Sequence, residues 1–189
     1  MELIADLLPP GPGKWTYEDY ARLPEDGNRY EVLDGELYVS PSPRTRHQAV
    51  SRNLVSLLHV YVSQHGLGEV YSAPIDVIFA PRMVAVPDIV FVAATRKSII
   101  TGRAIEGAPD LSVEILSPSS VRQDRVVKAV LYARHGVRHY WIADPEACSL
   151  ETFVLAGQRY RSTGTYHGAS KLRTEPFPDL EIDLALVWR

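Results

Sequence analysis

Val86-Pro87-Asp88-Ile89-Val90-Phe91-Val92 and Leu111-Ser112-Val113-Glu114-Ile115-Leu116 are two apolar, strand-like runs, each carrying one acid. A lone ionised carboxylate in such a run is costly to desolvate, so it must meet a cation, a hydrogen-bonding network or water at a strand end. A strand-end Asp and a hydrogen-bonded Glu satisfy that demand when each acid is taken alone. Two such acids together suit a shared divalent cation as well. Alternation in the second run puts Ser112, Glu114 and Leu116 on one face and Leu111, Val113 and Ile115 on the other. Glu114 therefore looks away from the apolar face, toward whatever Asp88 also meets.

Outward from these runs, strand and helix signals alternate. Arg29 to Leu33 and Glu36 to Ser40 flank Asp34-Gly35, a two-residue hairpin turn that pairs Leu33 with Glu36 and Glu31 with Tyr38. Alternation assigns Tyr30, Val32, Leu37 and Val39 to the apolar face and leaves Glu31 and Glu36 on the other. Thr16-Tyr17-Glu18-Asp19 fits a capping box opening a short helix to about Leu23. Ser42-Pro43 reads as the N-cap and first residue of a long helix with Val50, Leu54, Leu57, Leu58 and Tyr61 on one stripe, ending near Gly66. Strands are expected over about 69–79 and 86–93, joined by Ala80-Pro81-Arg82. A polar loop with a short helix through Arg96 to Arg103 precedes the strand 110–116. Ser120-Val121-Arg122-Gln123 matches a second capping box, and its helix runs from about 121 to His135, with Val126, Val127, Val130 and Leu131 as apolar face. Strands at about 138–143, 149–155 and 158–164 and a mixed segment from Pro176 to Trp188 complete the pattern. This order predicts a mixed sheet with a helix on each side, α/β or α+β.

With 189 residues, 46% hydrophobic and 23% charged, the chain suits one domain over 15–189, preceded by a loose leader over 1–14 rich in proline and glycine. A net charge of -3 excludes an overall basic footprint, so an anionic partner must be met by a local patch. Between Ser117 and Tyr140, Arg122, Arg125, Lys128, Arg134 and Arg138 face Asp124 alone, which supplies one. A single cysteine, Cys148, excludes an internal disulfide and a multi-cysteine metal site. No apolar run approaches the roughly 18 residues that span a membrane. Met1 to Leu8 carries acids where a signal peptide has a basic start, so a cytoplasmic location is expected.

Pro87-Asp88, Glu114 26 positions after that Asp, and a following helix bearing Lys128 resemble the PD-(D/E)XK restriction-endonuclease-like superfamily. More closely, Tyr30-Glu31-Val32-Leu33-Asp34-Gly35-Glu36-Leu37, Ser40-Pro41-Ser42-Pro43 with His47, Val113-Glu114-Ile115-Leu116-Ser117-Pro118-Ser119, the Asp124 to Gly136 helix and Tyr140-Trp141 resemble the Uma-type endonuclease family, from about residue 15 to 188. The resemblance implies a restriction-endonuclease-like mixed sheet flanked by helices. It further implies a metal-dependent endonuclease hydrolysing phosphodiester bonds of nucleic acid, DNA in the first place, with no membrane partner and a homodimer left open. Mg²⁺ or Mn²⁺ would be held by Asp88, Glu114 and the Ile115 carbonyl.

The superfamily's usual lysine lies two residues after the second acid, where this chain has Leu116. Resemblance to nucleases with a migrated lysine assigns its role to Lys128, which shares one helical edge with Asp124 and Tyr132. Glu31 joins Asp88, Glu114 and Lys128 as a catalytic candidate, either a further ligand or an orienting acid. His47, Arg122, Arg125 and Tyr132 are the substrate-binding candidates. Two other readings stay open: an inactive nuclease-fold binding or accessory module, which Leu116 favours, and a metal-dependent hydrolase of a smaller phosphoester.

Overall fold

The structure is a computed structural model that describes residues 9–189; Met1 to Leu8, and with them most of the expected leader, lie outside the described residues. The first element, α1 (Tyr17–Tyr20), is capped by Thr16 and Asp19 in the expected box. The hairpin β1 (Arg29–Leu33) and β2 (Glu36–Ser40) pairs Leu33 with Glu36 and Glu31 with Tyr38, as its two-residue turn requires. Asp34 and Gly35 both take positive φ, 55° and 83°, the backbone of a type I′ turn. The long helix α2 (Thr45–Gln64) starts two residues later than Ser42-Pro43 implies. Its N-cap is Arg44, and the Ser42 hydroxyl donates to the Gly27 carbonyl instead.

The strands that follow are shorter and more numerous than expected. Ala73-Pro74 splits the first run into β3 (Gly68–Ser72) and β4 (Asp76–Ala80), and the Ala80-Pro81-Arg82 turn leads into β5 (Met83–Ala85). Strand β6 (Ile89–Ala93) begins only after Pro87, since proline gives a ladder no N–H. A 3₁₀ helix, Ala94–Ile99, and the short β7 (Ala104–Glu106) lead to β8 (Leu111–Ile115). A π-helical turn, Gln123–Lys128, runs into α3 (Ala129–Arg134). Then come β9 (His139–Asp144), β10 (Ser149–Ala156), β11 (Arg159–His167), β12 (Lys171–Thr174), β13 (Phe177–Asp183) and α4 (Leu184–Val187).

Two sheets result. A six-stranded sheet has the order β11-β10-β9-β8-β6-β3, and a five-stranded sheet the order β2-β1-β5-β4-β7. Within the larger one, β8 and β9 are parallel, and α3 makes the crossover between them. One face of that sheet buries Ile89, Phe91, Leu111, Val113, Ile115 and Trp141 against Val50, Leu54 and Leu58 of α2 and against the C-terminal strands. The other face packs on α3 and the smaller sheet, through Leu116, Tyr140 and Ile142 against Leu33, Met83, Leu131 and Tyr132. The mixed sheet with a helix on each side is as expected; the five-stranded sheet and the two-stranded pair are additional.

Two face assignments hold only in part: Val32 and Leu131 are buried as expected, but other residues of the expected faces are not. In the hairpin, Val39 is 54% exposed while Leu33 and Tyr38 pack into the second core and Glu31 is buried. In the helix after β8, Val126 and Val130 are each 54% exposed, whereas Asp124, Lys128 and Tyr132 are buried. Periodicity ranks faces by transfer free energy, but a polar edge turns inward when buried partners complete its hydrogen bonds. Here those partners face each other across the two sheets.

Candidate active site

Site geometry follows from the proline that delays β6. The β6–β8 pairing ends at Ile89 opposite Val113, and extending its register by two residues would set Ile115 opposite Pro87. Pro87 has no N–H for the Ile115 carbonyl, and the Ile115 N–H donates instead to Asp88 Oδ2 at 2.8 Å. The ladder opens at this point, and Asp88 fills the gap. Its Oδ1 accepts from Arg29 Nη1 at 2.8 Å, and its Oδ2 lies 3.2 Å from His47 Nε2. Burial pushes the Asp88 carboxyl up, but the His47 hydrogen bond, the Arg29 charge and the Ile115 N–H together hold it down at about 2.

The second half of the site converges on Lys128. Its Nζ lies 2.9 Å from Glu31 Oε1, 3.1 Å from Glu114 Oε1 and 3.5 Å from Asp124 Oδ1. The Tyr132 hydroxyl donates to Glu114 Oε1 at 2.7 Å. Glu31 ties the smaller sheet to the helical turn after β8: Oε1 accepts from the Val86 N–H at 2.8 Å, and Oε2 from Gln123 Nε2 at 2.9 Å. Gln123 thus reaches across to Glu31 rather than closing the expected capping box, and the Ser120 hydroxyl bonds back to Ser117.

Four carboxylates, from Glu31, Asp88, Glu114 and Asp124, meet two permanent cations here, Arg29 and Lys128. Each of the four acids is at most 3% exposed, so water does not screen the imbalance. Glu114 is held well above the ordinary carboxyl value by burial; the Lys128 charge opposes this, while the Asp124, Asp88 and Glu31 charges add to it. Asp124 is raised too, again chiefly by burial. Burial alone would discharge Lys128, but Glu114, Glu31 and Asp124 raise its pKa and keep it an ammonium.

This chemistry fits a divalent cation. The donors are hard oxygens, carboxylates outnumber fixed cations by two, and the Ile115 carbonyl lies where the ladder supplies no N–H. Among the described residues, no three His, Cys, Asp or Glu side chains converge as a ligand set. Two carboxylates and a backbone carbonyl do not require one, since Mg²⁺ keeps several of its waters.

Of the sequence candidates, Asp88, His47 and the Ile115 backbone form one part of the site, and Glu31, Glu114, Lys128 and Tyr132 the other. Tyr132 reaches the site from beneath, fully buried, as a donor to Glu114 rather than as a surface contact. Arg125 lies elsewhere: its guanidinium pairs with both oxygens of Glu151, at 3.0 and 2.5 Å. Arg122 is exposed. The sequence reading left out Arg29, which precedes the quoted hairpin motif and whose long reach leaves no periodic signal. It also left out Gln123, and gave Asp124 no role although it stands four residues before Lys128.

Two clefts meet at Arg29 and His47. The larger, about 690 Å³, runs between α1, the hairpin and the start of α2; the smaller, about 150 Å³, lies between Ser40–Arg44 and Ser117–Ser120. Arg29 Nε and His47 Nδ1, at this junction, are buried without a hydrogen-bond partner among the described residues. Such an orphan costs about 1–3 kcal/mol unless a ligand or water reaches it.

The family model Uma2, described as "Putative restriction endonuclease", matches residues 17–185. Among solved structures, a putative nuclease belonging to DUF820 from Anabaena variabilis ATCC 29413 superposes with a TM-score of 0.76 at 20% identity, covering 92% of this chain and 97% of that one. No curated protein matches the chain by sequence. The mixed α+β architecture of sheet flanked by helices, which the family resemblance implies, is thus the fold shared with that putative nuclease.

Proposed function

The chain belongs to the Uma2 family of restriction-endonuclease type, and on that premise we propose that it is a divalent-metal-dependent endonuclease hydrolysing phosphodiester bonds of nucleic acid, with DNA as its substrate. The observation that carries this reading is the buried cluster of four carboxylates and two fixed cations at the open end of the β6–β8 ladder. Asp88, Glu114 and the Ile115 carbonyl would hold Mg²⁺ or Mn²⁺. When bound, such an ion acidifies a water and relieves charge on the scissile phosphate.

The chain's own residues divide the remaining work. Lys128, kept protonated by its carboxylates, is a fixed positive charge beside the reacting phosphate and not a base. Glu31, bound to Lys128, Val86 and Gln123, positions that charge. Tyr132 fixes one oxygen of Glu114, leaving its carboxylate a single orientation. His47 orients Asp88 and lines both clefts, where it meets substrate. Arg122, exposed on the first turn after Ser120, is the phosphate contact of the helix, since Arg125 is committed to Glu151.

The test is cleavage of plasmid and linear DNA by purified protein with Mg²⁺ or Mn²⁺, with EDTA, and with Glu114→Gln. Cleavage that needs the metal and is lost in the variant is expected. Cleavage indifferent to EDTA, or undiminished in Glu114→Gln, would overturn the proposal. A protein inert with every divalent ion leaves the inactive-module reading, in which Leu116 marks a lost catalytic lysine.

A further inference from the structure

We infer that the larger cleft beside Asp88 takes one unpaired nucleotide, its phosphate on Arg29 and His47 and its base among Tyr17, Tyr20 and Tyr30, so that the substrate strand is engaged single-stranded. The inference rests on the nuclease reading and adds a substrate form to it. Among the described residues, Arg29 is the one permanent cation that reaches both the site and the clefts: Nη1 holds Asp88, while Nε is buried and has no partner among them. His47 stands beside it, 6% exposed, with Nε2 on Asp88 and Nδ1 unpartnered among the described residues. Two adjacent side chains thus each satisfy Asp88 with one nitrogen and keep a second one free. A phosphate oxygen is a strong acceptor that a guanidinium N–H meets in plane.

The cleft these groups face has the volume of a nucleoside site, about 690 Å³. It is also built to hold a flat ring. Tyr17 and Tyr20 stack with centroids 6.1 Å apart in its wall. The Tyr20 hydroxyl donates to Asp76 at 2.6 Å and the Tyr30 hydroxyl to Asp26 at 2.7 Å, so two of the rings are fixed before any ligand arrives. Fixed aromatic faces next to a phosphate-binding arginine are what sequence-tolerant stacking of an unpaired base requires. A base still held in a duplex cannot enter such a cleft while its phosphate sits on Arg29; it has to be single-stranded or flipped out.

Fluorescence anisotropy with one labelled DNA oligonucleotide, single-stranded or annealed, in Ca²⁺ buffer tests this. The single strand is expected to bind about tenfold or more tightly than the duplex. Tyr30→Leu is expected to weaken the single strand about tenfold and to leave the duplex unchanged. Arg29→Gln is expected to weaken binding at least as much; because it also removes a partner of Asp88, its melt is recorded alongside, and Tyr30→Leu decides if it fails to fold. Equal binding of single strand and duplex, or a Tyr30→Leu protein that binds the single strand like wild type, would overturn the nucleotide cleft and leave a metal-dependent nuclease standing. A wild-type protein that binds neither form would overturn both.

Discussion

Lys128 has two jobs that mutation separates. As the counter-ion of three buried carboxylates, its contribution to stability is complete below its ordinary pKa and is lost only as pH rises through the raised folded-state value, so at neutral pH it is present in full. Lys128→Met leaves those acids without a cation and should cost about 3–5 kcal/mol in urea unfolding at neutral pH. The deficit should shrink as the pH is lowered, because Glu114 and Asp124, whose pKa values are already raised, take up protons and remove the repulsion. A deficit independent of pH would mean that lost packing, not charge, dominates. Asp88 behaves oppositely: its folded pKa is depressed, so its contribution is present above the ordinary carboxyl value and is lost only as pH falls toward about 2. His139, away from the site, gives an independent check. Burial first, and the Arg138 charge second, lower it from 6.5 to about 4. Its neutral form is the folded one, so its contribution is present above 6.5 and is lost as pH falls through about 4. His139→Gln should flatten the stability profile of the protein across that interval, measured by thermal melts at a series of pH values.

At the scale of elements, the helix after β8 is the sharpest case. The apolar spacing of Val126, Val127, Val130 and Leu131 predicts one inward face, yet Val126 and Val130 are exposed, and the inner edge is Asp124, Lys128, Leu131 and Tyr132. Val126→Ser or Val130→Ser should therefore shift stability by only about 0.5 kcal/mol. Leu131→Ala, which opens a cavity against Leu33 and Tyr140, should cost about 2–5 kcal/mol by the same chemical denaturation. The π-helical turn Gln123–Lys128 lies on the stretch that delivers Gln123, Asp124 and Lys128 to the site, in keeping with the tendency of such turns to mark functional positions. What the sequence made legible were features with a local cause. Asp34-Gly35 dictates its turn and hence the hairpin register, apolar spacing dictates the α2 stripe, and alternation in β8 sends Glu114 away from the α2 core. The burial of the polar edges of the hairpin and of the helix after β8 was not legible. They depend on partners distant in sequence, Glu31 for Gln123 and Glu114 for Tyr132, and period counting sees no such partner. Arg29 escaped for the same reason: 59 residues separate it from the Asp88 it holds.

Across the whole molecule, the site lies where two sheets and two helices meet. β1 of the smaller sheet brings Arg29 and Glu31, the residue just before β6 and β8 of the larger bring Asp88 and Glu114, α2 brings His47, and the π-helical turn brings Lys128. The Glu31 bonds to Val86 and Gln123 make the same acid a structural clasp between layers. Among the described residues no helix is long and apolar enough to cross a membrane. The surplus of buried carboxylates is the property on which the metal-dependent reading stands, and calorimetric titration with Mn²⁺ near neutral pH measures it most directly. Mn²⁺ should bind saturably, because a divalent ion offsets the surplus of buried carboxylates around Asp88 and Glu114, and Glu114→Gln should abolish the binding. Absence of saturable binding, or binding unchanged in Glu114→Gln, would contradict a metal centre built on Asp88 and Glu114.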